Sequence, residues 1–302
     1  MHVASVVQAH GLTKLYGSRT GVLDLAFAVT QGEVFGYLGP NGAGKTTTIR
    51  LMLDLIRPTK GRVELFGRDV RRDSVDVRRR LGYLPGDVRL YERLTGEQLV
   101  RYFASLRGLG DLREAHRLAG RFELDLDLPI RTLSRGNRQK VGIVQAFMHR
   151  PDLLVLDEPT SGLDPLMQQQ FYDLLRETTS DGRTVFLSSH VLPEVQEIAD
   201  RVAVIREGRL VLVESVEALR ERAPARVEAS FAEGPPAGAF ADLPGVREIE
   251  RRGTTIVFAL EGRIDPLVKA LARYEVRALD SHEADLEDVF LALYAERSTV
   301  AA

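Results

Sequence analysis

The segment that most constrains the fold of this chain spans residues 39–47 and has the sequence G-P-N-G-A-G-K-T-T. Gly39 and Gly44 flank four residues, and Lys45 and Thr46 follow directly, which matches the P-loop pattern. Glycine tolerates backbone conformations that a β-carbon forbids, so successive N–H groups can turn toward phosphate oxygens. The pattern predicts a phosphate-binding loop in which Lys45 reaches the β- and γ-phosphates and the Thr46 hydroxyl reaches Mg²⁺.

The segments on either side of this loop are those that a P-loop requires. Residues 33–38 (E-V-F-G-Y-L) are typical of a buried strand, and the apolar residues of segment 46–55 recur with helical spacing. A helix that starts at the loop also adds its partial positive charge to the anion site. Together these features predict an α/β domain of the P-loop NTPase class rather than a chance match of a glycine-rich turn.

Composition argues against several other classes of protein. The 302 residues include 41 basic and 43 acidic side chains, so no general positive field favours nucleic-acid binding. The absence of cysteine excludes disulfides, thiolate catalysis and cysteine-ligated metal sites. No apolar run approaches the roughly 18–20 residues that span a bilayer, and the first ten residues lack the regions of a signal peptide. We therefore expect a cytoplasmic protein without nucleic acid as a partner.

A second strand is predicted to end in two carboxylates. The apolar run 153–156 is typical of a central parallel strand, and Asp157 and Glu158 follow it at the end where ligands collect in such sheets. Burial of both carboxylates needs a compensating partner, which Mg²⁺ on bound phosphates supplies. Asp157 would orient the metal through its waters, and Glu158 would polarise a water for attack on the γ-phosphate. The alternative is a charged strand end that faces solvent.

A third apolar run, residues 184–189, ends at His190. A histidine there can donate a hydrogen bond to the γ-phosphate, whereas a lone histidine in the same place would more often have a structural role. Because it would be the third strand terminus at one sheet edge, we assign it to the site. Upstream of the P-loop, Tyr16 can either stack on an adenine or pack at a strand end.

Two helix starts also carry functional hypotheses. The segment L-S-R-G-N-R-Q-K opens a helix with Ser134 as its N-cap, and the free N–H groups at that start suit an anion, although an ordinary capped helix has the same pattern. Downstream, S-G-L-D forms a turn in which Asp164 caps the next helix and Pro165 takes its first position.

The remaining chain divides into a helical insert and a terminal domain. A capping box, T-G-E-Q at residues 95–98, opens an amphipathic helix within a helical subdomain of about residues 88–150, and the basic run 68–80 with its interleaved aspartates predicts a solvated helical face. Composition changes after about residue 219, where loop residues become frequent. We predict an ATP-binding domain at residues 1–218 and a small α+β domain at 219–302. The latter is expected to contain strands near 227–231, 254–260 and 275–279, a helix from Asp265, and a last helix with Leu286, Val289, Phe290 and Leu293.

The order of these motifs is similar to that of one protein family. The P-loop, L-S-R-G-N-R-Q, L-L-V-L-D-E-P, S-G-L-D and His190 follow one another as in the nucleotide-binding subunits of ABC transporters, which residues 1 to about 215 resemble. The resemblance implies a RecA-like P-loop core with an antiparallel β subdomain and a helical insert. It also implies an ATPase that acts through separately encoded membrane permease subunits and lies on the inner face of the cell membrane.

The resemblance assigns roles to the matched positions. It implies catalytic roles for Glu158, His190 and Lys45, and metal binding by Thr46 and Asp157. A second copy of the chain would form a homodimer with Asp164 near the interface. ATP would contact Tyr16, Gly39, Pro40, Asn41, Gly42, Ala43, Gly44, Lys45, Thr46 and Thr47. The ATP of the second subunit would face Ser134, Arg135, Gly136 and Asn137.

Two departures from the family pattern affect these expectations. Gly86 stands where a glutamine or glutamate usually contacts Mg²⁺, and glycine has no ligand to offer, so Asp87 becomes a candidate metal ligand. In the signature, Arg135 replaces the usual glycine and Asn137 a common glutamine. Ser134 and Gly136 are retained, so we expect two subunits still to enclose ATP between them.

The end of the chain favours one transport direction. The segment L-E-D-V-F-L-A-L-Y looks like the accessory domain of subunits that serve bacterial drug, antibiotic, lipid or polysaccharide exporters. One alternative is a soluble ABC ATPase that acts on ribosomes or DNA, but those usually contain two ATPase units or a coiled-coil insert. Another is a regulatory nucleotide binder that hydrolyses ATP weakly, which Gly86 and Arg135 suggest and the retained Lys45, Asp157, Glu158 and His190 oppose.

Overall fold

A computed structural model describes residues 5–222, 225–260 and 262–282. The strands of these residues are, in chain order, β1 (Ser5–Tyr16), β2 (Arg19–Thr30), β3 (Val34–Leu38), β4 (Lys60–Leu65), β5 (Arg68–Asp69), β6 (Leu81–Leu84), β7 (Leu153–Asp157), β8 (Thr184–Ser189), β9 (Arg201–Arg206), β10 (Arg209–Ser215), β11 (Ala225–Phe231), β12 (Val246–Arg252), β13 (Thr255–Leu260) and β14 (Val276–His282). The helices are α1 (Lys45–Met52), α2 (Ser74–Arg79), α3 (Gly96–Arg107), α4 (Arg113–Arg121), α5 (Arg135–Phe147), α6 (Pro165–Ser180), α7 (Leu192–Ile198), α8 (Val216–Arg222) and α9 (Asp265–Leu271).

Residue contacts divide the chain into two units, and the division falls between Glu214 and Ser215. The sequence places its boundary slightly later, after residue 218. Among the described residues, no helix combines the length and the apolar character that crossing a membrane requires.

The first unit is built on a mostly parallel sheet with the strand order β10-β9-β3-β8-β7-β6. Strands β3, β7 and β8 are buried along their whole length, as their apolar sequences predict. The pairs β3·β8, β7·β8 and β6·β7 are parallel, so the carboxyl ends of neighbouring strands meet at one edge. At that edge, β3 leads into the P-loop, β7 into Glu158 and β8 into His190. The predicted α/β core is confirmed.

An antiparallel sheet with the order β2-β1-β4-β5 forms the second layer of this unit. The strand-like runs 6–10 and 22–29 predict two short strands joined by the ten residues 12–21. This is wrong because β1 and β2 pair as far as Tyr16 and Arg19. Gly11 lies inside β1 with a φ of 57°, where the register shifts between Ala9 and Leu12. It therefore accommodates an irregularity in the ladder rather than a turn.

The helical insert follows its predicted caps. The backbone N–H of Gln98 donates to Thr95 Oγ1 at 3.2 Å and the Thr95 N–H donates to Gln98 Oε1 at 3.0 Å, so the capping box of α3 is present. The basic run 68–80 is only partly helical: α2 covers Ser74–Arg79, whereas residues 68 and 69 pair with β4 as β5.

The second unit contains an antiparallel sheet with the order β12-β13-β11-β14. Helix α9 contributes Leu267 and Leu271 to a core with Phe231, Phe240 and Phe258. The sequence predicts β11, β13, β14 and α9 but misses β12, whose residues V-R-E-I-E-R-R are mostly charged. The predicted last helix with Leu286, Val289, Phe290 and Leu293 lies outside the described residues.

Candidate active site

The P-loop connects β3 to α1, and its backbone depends on glycine at both ends. Gly44 has a φ of 111°, and a β-carbon there would lie 2.8 Å from the carbonyl oxygen of Gly21. A β-carbon at Gly39 would lie 2.4 Å from the carbonyl oxygen of Ile205. Both distances are shorter than any real side chain tolerates, so the loop can take this path only with glycine at these positions.

Lys45 is buried at the start of α1, with 6% of its side chain exposed. Its Nζ donates to the carbonyl oxygens of Gly39 at 2.6 Å and Pro40 at 3.3 Å. The same ammonium lies 3.2 Å from Oε1 of Glu158. Because a buried ammonium needs a compensating charge, Glu158 is its partner in this arrangement.

Asp157 is held by hydroxyl groups on both of its oxygens. Thr46 Oγ1 donates to Oδ2 at 2.9 Å, and Ser188 Oγ donates to Oδ1 at 2.5 Å. Asp157 is only 3% exposed, so these bonds replace the water that it loses on burial. In the sequence, Ser188 belongs to an apolar run that gives no sign of a functional role. Its role as a partner of Asp157 is a finding of the structure.

The oxygens of Thr46 and Asp157 fit a Mg²⁺ ion. Mg²⁺ prefers oxygen ligands, keeps several waters and takes one or two protein carboxylates beside substrate phosphates. No cluster of three or more histidine, cysteine, aspartate or glutamate side chains suited to a metal occurs in the part of the chain that the structure describes. Thr46 and Asp157 would therefore leave most ligand positions of such an ion to phosphates and water.

Glu158 lies between the P-loop lysine and the histidine that follows β8. Its Oε2 is 2.8 Å from Nδ1 of His190, while its Oε1 faces Lys45. Its backbone has a φ of 50°, a left-handed conformation that costs a residue other than glycine about 1–3 kcal/mol. The N–H of Glu158 donates to the carbonyl oxygen of Ser188 at 3.0 Å, which ties it to the neighbouring strand. The predicted triad of Lys45, Glu158 and His190 is thus brought together.

Lys45, Thr46, Asp157 and Glu158 line one cavity of about 970 Å³, a size suited to a nucleotide. His190 is not among the described residues of this lining and reaches the site through its contact with Glu158. Tyr16 lies on its wall with 46% of its surface exposed, and Lys14 Nζ lies 5.2 Å from the ring centroid. Tyr83 also lines the cavity, and burial together with the charge of Asp157 raises the pKa of its phenol, which stays protonated. Three arginines that belong to no motif of the sequence line the cavity as well: Arg19, Arg50 and Arg89.

The loop after β6 differs from its predicted role in one respect. A β-carbon at Gly86 would lie 3.4 Å from the carbonyl oxygen of Asp157 and 3.5 Å from its Oδ2, so a side chain at this position would point toward the carboxylate. Asp87 lines the cavity, but its carboxylate is largely exposed and accepts a hydrogen bond from Arg89 Nε at 2.8 Å. Its contact in this structure is therefore Arg89.

The signature segment packs against the S-G-L-D turn of the same chain. Ser134 caps α5 by accepting from the N–H of Asn137 at 3.2 Å, as predicted. Arg135 Nη2 donates to Ser161 Oγ at 2.7 Å, and a β-carbon at Gly136 would lie 2.6 Å from the carbonyl oxygen of Gly162.

Asp164 caps α6 as predicted, accepting from the N–H of Met167 at 3.0 Å. Among the described residues that line the 970 Å³ cavity, none belongs to the signature.

Sequence and structure comparisons relate the chain to one group of proteins. A family model described as ABC transporter matches residues 22–161. The chain is 35% identical over 223 residues to the bacitracin transport ATP-binding protein BcrA of Bacillus licheniformis, across 69% of this chain and 69% of that protein. It is 34% identical over 297 residues to the daunorubicin resistance ATP-binding protein DrrA3 of Streptomyces coeruleorubidus, across 95% of this chain and 92% of that protein. A solved structure of the ATP-binding subunit of an ABC transporter matches with a TM-score of 0.67 and 31% identity, over 72% of this chain and 93% of that chain.

Proposed function

Because this chain belongs to the ABC transporter family as an ATP-binding subunit, we propose that it energises export through separately encoded membrane permease subunits. Family membership confirms the resemblance predicted from the motifs, and the chain is an ATPase of this family. The observation that carries the assignment of the catalytic groups is the position of the Glu158 carboxylate, 3.2 Å from Lys45 Nζ and 2.8 Å from His190 Nδ1.

The residues of the cavity, together with His190 beside Glu158, divide the work of ATP hydrolysis. When ATP binds, Lys45 pairs with the β- and γ-phosphates instead of with Glu158. The Glu158 carboxylate is then free to orient a water and to take its proton. His190 donates a hydrogen bond to the γ-phosphate, and Tyr16 stacks on the adenine. Thr46 and Asp157 would hold Mg²⁺, which when bound neutralises charge on the phosphates.

The same proposal extends to a homodimer in which each signature meets the nucleotide of the other subunit. Ser134 and Arg135 are exposed at the start of α5, and they lie outside the cavity of their own chain. The contacts Arg135–Ser161 and Gly136–Gly162 hold the signature beside the turn that ends at Asp164. Closure of two copies on ATP and reopening after hydrolysis would drive the transport cycle.

An exposed aromatic patch on the helical insert supports docking of the permease. Tyr91 is 57% exposed, Tyr102 44% and Leu106 65%, and the rings of Tyr91 and Tyr102 meet edge to face with centroids 6.0 Å apart. Apolar groups clustered on a surface mark contacts with other proteins. We place the permease contact on this patch and on the loop 85–91, so that the subunit lies on the cytoplasmic face of the membrane.

The choice of export rests on the full-length relative. DrrA3 is named for daunorubicin resistance. Its match covers 95% of this chain and therefore includes residues beyond the first unit. Together with the bacitracin transport protein, it supports a substrate of the drug or antibiotic type within the wider class of exported drugs, antibiotics, lipids and polysaccharides.

Asp87 is retained as a candidate metal ligand, which would require it to leave Arg89. An Asp87→Ala variant is expected to need more Mg²⁺ for half-maximal turnover, and an unchanged Mg²⁺ dependence would remove Asp87 from the site.

The permease assignment is tested by reconstitution. The chain is placed in vesicles with the permease subunits that it is proposed to serve, and ATP turnover is compared with that of the chain alone. We expect the permease to raise turnover, and Tyr102→Ser with Leu106→Ser to abolish the increase while the basal rate remains. Val75→Ser is the matched control, because Val75 is 63% exposed on α2, outside the patch. If the permease stimulates the patch variant and the control equally, the docking site is not on this patch. If the permease does not stimulate the wild type, the assignment of a permease partner is contradicted.

A further inference from the structure

We propose that Glu194 is a positioning residue for ATP hydrolysis, because its carboxylate ties the segment after Glu158 to the segment that carries His190. The inference rests on the proposed function of that pair and names the group that fixes its geometry. Glu194 lies on α7, next to the site in sequence but outside the described lining of the cavity.

Both oxygens of the Glu194 carboxylate are used in this link. Oε1 accepts a hydrogen bond from Thr160 Oγ1 at 2.8 Å, and Oε2 accepts one from Ser189 Oγ at 3.0 Å. Thr160 is two residues beyond Glu158, and Ser189 directly precedes His190. Both hydroxyl residues are buried, at 5% and 0% exposure, so the contacts are not exchanged readily for water.

The link on the histidine side includes the backbone. The N–H of Val191 donates to Ser189 Oγ at 3.0 Å, and the same hydroxyl donates to Glu194. The hydroxyl of Ser189 therefore connects the two residues on either side of His190. This local bond fixes the direction in which the chain leaves β8.

At the strand ends, one backbone hydrogen bond ties Glu158 to β8, from its N–H to the carbonyl oxygen of Ser188 at 3.0 Å. The ladder between β7 and β8 has its last residue pair at Asp157 and Ser188, so Glu158 and His190 both lie beyond it. Glu158 also has the left-handed backbone conformation that residues with side chains rarely adopt, with a φ of 50°. The 2.8 Å contact between Nδ1 and Oε2 thus depends on connections outside the ladder, and Glu194 makes one to each segment.

The link predicts a specific kinetic effect. Glu194→Ala removes the side-chain link between the two segments, and misplacement of catalytic groups by about 1 Å can lower a rate on the order of 100-fold. We expect kcat to fall roughly 10- to 100-fold, while KM and the Kd for ATP change less than about 3-fold, because the P-loop contacts do not involve Glu194. Glu194→Gln keeps the side-chain length and one carbonyl acceptor, and is expected to recover most of the rate.

Matched variants separate positioning from general stability. Glu197→Ala changes an exposed carboxylate of the same helix that pairs with Arg176, and should leave kcat unchanged. Thr160→Val removes one hydroxyl while preserving shape and tests the link even where Glu194→Ala folds poorly. If the two groups act together, the double variant Thr160→Val/Glu194→Ala loses no more than Glu194→Ala alone.

The assay measures steady-state ATP turnover, ATP binding and thermal unfolding for each variant beside wild type and Glu158→Gln. A fall in kcat at constant Kd, with recovery in Glu194→Gln, supports the positioning role. If Glu194→Ala loses no more kcat than Glu197→Ala while Glu158→Gln is inactive, the positioning role of Glu194 is overturned and the catalytic pair stands. A parallel loss of ATP binding would reduce Glu194 to a structural residue, and full turnover in Glu158→Gln would overturn the proposed catalytic pair as well.

Discussion

Acidification is expected to destabilise the first unit through a single, partly buried histidine. His149 follows α5, and its Nε2 lies 2.9 Å from the carbonyl oxygen of Leu81 at the start of β6. With Nε2 donating, a proton on Nδ1 would have no acceptor, because Nδ1 is buried without a hydrogen-bond partner among the described residues. Arg107 donates to the same carbonyl oxygen at 3.1 Å and places a positive charge nearby. Burial first, and then this charge, lower the pKa of His149 from 6.5 to about 4.

The sign and size of the effect follow from these two pKa values. Between pH 6.5 and about 4, the unfolded chain binds a proton at His149 and the folded chain does not, so acid favours unfolding. The stabilising contribution is fully present above about pH 6.5 and declines by about 1.4 kcal/mol for each pH unit below it. By about pH 5 the loss amounts to about 2 kcal/mol.

Urea unfolding of wild type and His149→Gln at about pH 7 and about pH 5 measures this contribution. Glutamine can still donate to the Leu81 carbonyl oxygen but does not titrate. Because the carboxylates of both proteins respond to pH in the same way, the difference between the two pH dependences isolates the histidine. Wild type should lose about 2 kcal/mol more than the variant between the two conditions. Equal losses would refute the assignment of a neutral His149 in the folded chain.

Two further predictions concern the elements that frame the site. A β-carbon at Gly36 would lie 2.5 Å from Val195 Cγ1, so Gly36→Ala should push β3 from α7 and lower the free energy of unfolding by about 1–3 kcal/mol. Gly120→Ala, where no atom lies within 4 Å, is the control and should leave that free energy unchanged or raise it by up to about 1 kcal/mol; similar losses in both would contradict the packing argument. Thr95→Ala removes the cap of α3 and should reduce stability by about 1 kcal/mol in the same urea assay, with Thr95→Ser restoring it. Equal stability of the alanine and serine variants would show that the capping box does not hold the helix.

The central strands and the P-loop could be predicted because their signals are local. A buried parallel strand is a continuous apolar run, and a loop that turns its N–H groups inward needs glycine at fixed positions. Strand β12 has neither signal. It is an edge strand that pairs only with β13 among the described residues, and five of its seven residues are charged. The full lengths of β1 and β2 lack a local signal for a related reason. Gly17 and Gly21 both favour a turn by residue type, but only Gly17 lies in one, and Gly21 lies within β2.

The site was predictable as a set of strand ends, but its supporting contacts were not. Ser188 bonds a carboxylate 31 residues away in sequence, and Thr160 bonds Glu194 across 34 residues. Pairs of this kind leave no periodic pattern, because they arise where strand order brings distant segments together. The orientation of Asp87 toward Arg89 is likewise a consequence of the local loop path, which the sequence does not specify.

The most direct test of the account is Mg²⁺-dependent ATP hydrolysis by the purified chain, measured against protein concentration with Glu158→Gln alongside. If two subunits enclose ATP and Glu158 activates the attacking water, turnover rises more steeply than linearly with concentration and is lost in the variant, which accumulates as an ATP-bound dimer. Undiminished turnover in Glu158→Gln, or turnover strictly proportional to concentration without any ATP-bound dimer, would contradict the account.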